Sequence, residues 1–164
     1  MKKLLLTFIY FPGLIYSQIN TTDINKLNSE NQKTGVWKEI ILPNLKKNIS
    51  DTLVAYYTYQ KDIKNGSYEI YTSDKKLYVK GNYEDGEQKG EIINYYPNEN
   101  IKYKFNKINN LFDGPFFYYS ENGKVKTYKL YDSGKIKEIK HYYENGKIWI
   151  KIETQNSVKE NGEV

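Results

Sequence analysis

Tyrosine returns along this chain with a fixed step. Tyr59, Tyr71, Tyr83, Tyr95, Tyr119, Tyr131 and Tyr143 lie on a twelve-residue grid, and Lys107 is its one miss. Three residues beyond the grid positions stand Asp62, Asp74, Gly86, Asn98, Asn110, Asn122, Gly134 and Gly146. All are Asp, Asn or Gly, the types that tolerate left-handed backbone or bond back to their own turn. Self-similarity at a fixed step marks a repeat array. A second rhythm lies over the first. Six residues after alternate grid positions come the apolar Leu77, Ile101, Val125 and Trp149. Six after the others come Asn65, Lys89, Asp113 and Lys137, the first three followed by Gly66, Gly90 and Gly114. The unit is therefore twenty-four residues long, with two unlike halves.

A strand of about seven or eight residues plus a turn of about four fills one step. A helical unit does not fit, because Tyr, Val, Ile, Thr and Asn dominate and Ala55 is the sole alanine. The pattern predicts an all-β protein: an elongated antiparallel β-hairpin repeat array, a meander of about ten strands over residues 35–153. Alternation is visible where Ile148, Ile150 and Ile152 point one way and Trp149, Lys151 and Glu153 the other. Likewise Leu77, Val79 and Tyr83 are read on one side, opposite Tyr78, Lys80 and Asn82. Gly35-Val36-Trp37 opens the first unit, but Gly66 comes 31 residues later, so a longer loop is placed around Leu45 to Asp51. Residues 18–34 are read as a weakly ordered leader and 154–164 as a frayed tail.

The first segment calls for separate treatment. Lys2 and Lys3 precede an apolar run from Leu4 to Tyr16, which is too short to span a bilayer and is followed by Ser17-Gln18. Residues 1–17 are expected to be a secretory signal peptide; Pro12 and Gly13 argue against a buried helix there. The mature chain is then exported, to the periplasm, the cell surface or the medium, with no transmembrane segment of its own. It has no cysteine, which excludes disulfides, thiol catalysis and thiolate metal sites. Without Lys2 and Lys3 it carries 23 lysines against 20 acids and no arginine. Arginine supplies the planar fork suited to phosphate and guanine, so nucleic acid is not an expected partner.

The phrases "GVWKEI", "GPFFYYSENGKVK" and "HYYENGKIWIK" resemble the bacterial MORN-repeat variants, the antitoxin-like MORN repeat proteins. Such units read Gly-x-Trp/Tyr, then Tyr-Tyr, a Glu-Asn-Gly-Lys turn and a lysine-rich strand. The middle departs from that pattern: "YYPNENIKYK" lacks the glycine and "FNKINNLFDG" the tyrosine. The resemblance implies an elongated MORN-like hairpin array. Some bacterial members are labelled antitoxin-like, and eukaryotic relatives are associated with membranes or protein assembly. It carries no catalytic residues.

The residues themselves offer little chemistry. His141 is the only histidine, and a lone imidazole does not build a metal site. Glu84, Asp85, Glu87, Glu121, Asp132 and Glu144 recur at turns, with Glu99 and Asp113 in the same class, which favours turn formation over paired-carboxylate catalysis. None of these turns has the dense acidic spacing of a calcium loop. Lysines are spread through the strands, including Lys102, Lys104, Lys126, Lys129, Lys137, Lys140, Lys147 and Lys151; they are read as solvated charge that keeps edges from pairing with other chains, the alternative being a basic face for anionic lipid or polysaccharide. No catalytic residue, metal site or cofactor is assigned. Tyrosine is the distinctive residue, with 18 in the chain. Grid tyrosines are read as structural. Those off the grid, Tyr56, Tyr57, Tyr78, Tyr103, Tyr118, Tyr128 and Tyr142, are the candidates for partner contact. The expectation is a non-enzymatic envelope or secreted protein presenting a Tyr/Lys-rich sheet for protein–protein binding or scaffolding. A carbohydrate or envelope-polymer binder and a toxin-neutralising partner are the alternatives.

Overall fold

The computed structural model describes residues 24–44 and 51–154, and these form an all-β, single-sheet structure. In chain order the strands are β1 (Lys26–Leu27), β2 (Lys33–Ile41), β3 (Leu53–Gln60), β4 (Ile63–Thr72), β5 (Leu77–Glu84), β6 (Glu87–Gln88), β7 (Gly90–Tyr95), β8 (Ile101–Ile108), β9 (Leu111–Tyr119), β10 (Val125–Asp132), β11 (Lys135–Tyr142) and β12 (Ile148–Glu153). The sheet order follows the sequence from β1 to β12, with β6 a short extension pairing β5, and every pairing is antiparallel. The longer strands make the expected meander; β1 and β6 are two-residue additions. Within the stretch read as a leader, Lys26 and Leu27 pair with Thr34 and Lys33 in a short hairpin. The signal peptide, most of the loop placed at Leu45 to Asp51 and the tail from residue 155 lie outside the described residues.

Two kinds of turn alternate. The tight ones are Lys61-Asp62, Asp85-Gly86, Asn109-Asn110 and Ser133-Gly134, and both residues of each have positive φ. That is the two-residue hairpin turn whose twist matches the strands it joins. The wider ones start at Thr72, Tyr96, Ser120 and Tyr143 and place Lys75, Glu99, Gly123 and Gly146 in the left-handed region. In each, the left-handed residue donates its amide to the first carbonyl of the turn, at 2.9 Å. Neighbouring turns are tied along both margins of the sheet. Gly134 N donates to Phe112 O at 2.8 Å on the tight side, and Tyr96 Oη to Tyr119 O at 2.7 Å on the wide side.

The strand after a tight turn bulges. Tyr57 faces Tyr68 while Tyr59 faces Lys64, and Phe105 faces Phe116 while Lys107 faces Phe112. Gly66, Gly90 and Gly114 supply positive φ within these bulges. At Gly66 a Cβ would also crowd Thr58 at 3.0 Å, so a side chain is disfavoured on two counts. The final unit has no such glycine, and there the register shifts by one residue only, with Leu130 facing Glu138 and Tyr131 facing Ile136. The chain is one residue short in consequence. Left-handed positions 75, 99 and 123 are followed by 146. The grid slips at its end: Tyr142, not Tyr143, stands where Tyr71, Tyr95 and Tyr119 stand, across from the first residue of the next strand. Ile148, not Trp149, is therefore the counterpart of Leu77, Ile101 and Val125. Trp149 is the extra residue of a bulge, as are Tyr78, Lys102 and Lys126.

Directly paired residues share a sheet face, so the register assigns every paired side chain to one of two faces. The front face carries Trp37, Tyr57, Tyr59, Tyr68, Val79, Tyr83, Ile92 and Phe105. Its first half holds the core: Ala55 is fully covered, and Tyr57, Tyr59, Tyr68, Val79 and Ile92 bury with it. Tyr57 meets Tyr68 and Tyr83 at 5.8 and 6.0 Å between ring centroids. Such aromatic pairs add about 0.5–1.5 kcal/mol each beyond the area they bury. Leu77 stands opposite Tyr71 on the back face, so it does not share a side with Val79; the bulge at Tyr78 breaks the expected alternation.

Candidate binding face

The grid tyrosines alternate between faces. Tyr59, Tyr83 and Tyr131 lie in front, with Lys107 at the same position of its unit; Tyr71, Tyr95 and Tyr119 lie behind. The off-grid tyrosines divide as well. Tyr57, Tyr103 and Tyr118 are in front, while Tyr56, Tyr128 and Tyr142 are on the back. Tyr57 is 7% exposed and belongs to the core. Burial pushes its hydroxyl up to about 12, with Tyr83 and Glu39 adding to the shift. Tyr78 is exposed at its bulge. Tyr103 and Tyr118 stack on each other, centroids 5.1 Å apart. Tyr128 packs on Phe117 at 5.4 Å, under the ammonium of Lys140. Tyr56 meets Tyr71 edge-on at 5.9 Å.

Tyr103 and Tyr118 open onto a larger cluster that the tyrosine pattern does not reveal. Phe116 lies 5.8 Å from Tyr103 and 5.5 Å from Phe105. Phe112 lies 5.0 Å from both Phe105 and Tyr131. These rings cross the front of β8, β9 and β10 as one contiguous patch, and each is only partly buried. Among the described residues no second layer covers it, whereas an apolar sheet face ordinarily packs against another element.

Charge is sorted between the faces. Of the strand carboxylates that the register pairs, Glu39 alone is in front; the others, from Glu69 on β4 to Glu153 on β12, are on the back, and the unpaired Asp113 turns to the amide of Ser133. Several back-face lysines find carboxylates there, while Lys80 lies over the Tyr95 ring. Lys104 reaches Glu91 at 2.7 Å, and Lys140 and Lys151 reach Glu138 at 2.9 and 3.5 Å. In front, Glu39 accepts from the Tyr59 hydroxyl at 2.7 Å and from Lys33 at 3.2 Å, with Lys64 at 4.0 Å. Burial opposes its charge, but these hydrogen bonds and the two ammonium groups outweigh it and hold the carboxyl below its usual value. The front lysines of the second half lie over rings. Lys107 Nζ is 5.3 Å from the Phe112 centroid and donates to Gln88 Oε1 at 2.9 Å. Lys129 Nζ is 5.8 Å from that of Phe116. Burial lowers the pKa of Lys107.

The turn acids serve the turns. Asp113 accepts from Ser133 N at 3.1 Å, Asp85 from the Asn65 amide at 3.2 Å, and Glu84 pairs with Lys89. Glu144 accepts from Lys124 through its backbone oxygen at 2.7 Å. His141 Nδ1 is 3.0 Å from Thr127 Oγ1, and its ring meets Trp149 at 5.7 Å. Among the described residues no group of three or more His, Asp or Glu is placed to hold a metal ion, and no helix is long and apolar enough to cross a membrane.

Sequence reasoning thus missed Phe105, Phe112 and Phe116, read Lys107 only as the miss in the tyrosine grid, and read Lys129 only as spread-out charge. One signal was available. Lys107 interrupts the tyrosine grid at a front-face position, beside the rings it now covers. A scan against protein-family models finds no match to this chain, and neither does a search of curated proteins.

Proposed function

We propose that this is a non-enzymatic, exported scaffold whose front sheet face binds a protein partner. The observation that carries this reading is the contiguous patch of Tyr103, Phe105, Phe112, Phe116, Tyr118 and Tyr131, partly exposed on a sheet with no described covering layer. Rigid aromatic rings give large contact area at low entropic cost, and they concentrate binding energy at interfaces. Repeat arrays offer long, regular surfaces of this kind. The three phenylalanine rings at the centre of the patch offer no hydrogen-bonding group, which favours a protein over a neutral polysaccharide: a sugar hydroxyl set over them would lose water without a replacement bond. Export rests on the reading of residues 1–17. The MORN-like phrasing adds support for an interaction role through its relatives' association with assembly and neutralisation.

Site-specific photocross-linking tests this. A benzophenone side chain placed at Tyr103 or Phe116 should yield discrete protein adducts in envelope extract. The same probe at Tyr56 or Tyr128, on the back, should not. Adducts from the back alone, or none from either face, would overturn the reading.

A further inference from the structure

The second half of the front face has cations and no register-paired anions. Lys107 and Lys129 lie among the rings, and no carboxylate that the register pairs shares that face from β4 onward; Asp113, unpaired in the β9 bulge, accepts from Ser133 N. Lys129 lies over the Phe116 ring, and Lys107 over the Phe112 ring while donating to the neutral Gln88 amide oxygen at 2.9 Å; neither partner attracts an ammonium group as a desolvated carboxylate does. The contrast with the back face is direct, since Lys104 and Lys140 each have a carboxylate within 3 Å. A lysine-bearing apolar patch stripped of its own acids complements a partner that brings them.

We propose that the partner's contacting segment is an acidic polypeptide that alternates carboxylates with apolar side chains. This inference rests on the protein-binding reading above. Lys107 stands on β8 and Lys129 on β10, with β9 between them, and Lys129 is level with Phe116 and Phe105. Two inter-strand steps and a two-residue offset put their backbones roughly 12 Å apart. An extended segment spans about 13 Å between residues four apart, whose side chains point the same way. Glutamates at those two positions reach the two ammonium groups, and an apolar residue midway falls over Phe116 and Phe112. An anionic polysaccharide carries the same charge, and the test separates it from the peptide.

The test uses the full chain and three labelled probes, read by fluorescence anisotropy. One peptide carries a Glu-Ser-Phe-Ser-Glu centre, the second replaces both glutamates by glutamine, and the third probe is polygalacturonate. The Glu peptide is expected to bind about tenfold tighter than the Gln peptide at low salt, with the gap closing as salt rises. In K107Q/K129Q the two peptides are expected to bind alike, with unchanged circular dichroism confirming the fold. Equal affinity of both peptides for the native chain, weakened by F112A/F116A, would overturn the charge inference and leave the aromatic face as the binding site. Peptide affinities that F112A/F116A does not touch would overturn both readings. Failure of both peptides to bind, or binding of polygalacturonate alone, would overturn the acidic-polypeptide inference.

Discussion

The Tyr59 hydroxyl donates a 2.7 Å hydrogen bond to Glu39, the single register-paired strand carboxylate on the front of the described sheet. Tyr59 and Glu39 stand on neighbouring strands, and Lys33 and Lys64 flank the pair. The carboxyl pKa lies below the ordinary 4.5, so the folded state favours the charged form. The sign follows from linkage: the contribution is complete above about 4.5 and is lost as pH falls through the lower folded value. E39Q is expected to lower stability at pH 7 by about 1 kcal/mol, a modest figure because the site is partly exposed. Urea unfolding of both proteins should show that gap narrowing towards pH 3. A gap that widens on acidification would contradict the arrangement.

The wide turns carry a built-in comparison. Lys75 and Glu99 occupy the left-handed position that Gly123 and Gly146 fill in later units, with φ of 65° and 68°. A side chain there costs about 1–2 kcal/mol relative to glycine, offset by about 0.4–1 kcal/mol of unfolded-state entropy. K75G and E99G should each stabilise the protein by about 0.5–1 kcal/mol. The turns lie in different units, so the double variant should show nearly the sum. Thermal or urea melts that show a loss for both would mean that these side chains make contacts outweighing the strain.

The corners of the meander were legible because Asp62, Asn110, Gly86 and Gly134 are types chosen for backbone conformation, and a local cause leaves a local mark. The faces were not legible. Side-chain direction depends on counting through every turn and bulge, and the bulges at Gly66 and Gly114 each add residues to one strand only. A single absent residue in the last unit moves Tyr142 onto the grid position and Trp149 into a bulge. Tyr59 and Tyr71 look equivalent in sequence and stand on opposite faces. The phenylalanine patch was invisible for a related reason: Phe105, Phe112 and Phe116 meet only through cross-strand register, and their spacing along the chain follows no simple period.

Burial is uneven along the array, and amide exchange should follow it. β3 buries Leu53, Ala55, Tyr57 and Tyr59 in alternation. In β12 only Ile150 is even partly covered, and Ile148, Trp149 and Ile152 are 48%, 52% and 48% exposed. Local opening requires little where few apolar contacts are lost. Hydrogen exchange is expected to be slowest in β3, β4 and β5 and faster by orders of magnitude in β12. Uniform protection across all strands would indicate that the sheet opens as one unit.

Gly81 tests whether the core packs as tightly as its geometry implies. It lies on β5 across from Tyr68, without the positive φ that explains the bulge glycines. The constraint there is space. A Cβ would come within 2.9 Å of both Ile92 Cγ1 and Tyr68 Cε1, two of the most buried side chains. Ile92 belongs to β7 and Tyr68 to β4, so the glycine lets side chains from both neighbouring strands close over β5. G81A should therefore cost about 1–3 kcal/mol by overpacking, despite the better strand propensity of alanine. In an I92A background, which lacks the Cγ1 atom that the new methyl group would meet, G81A should cost less than it does in the native chain. Urea midpoints for the two single variants and the double give the coupling directly, and strict additivity would show that Ile92 is not what the new methyl group meets.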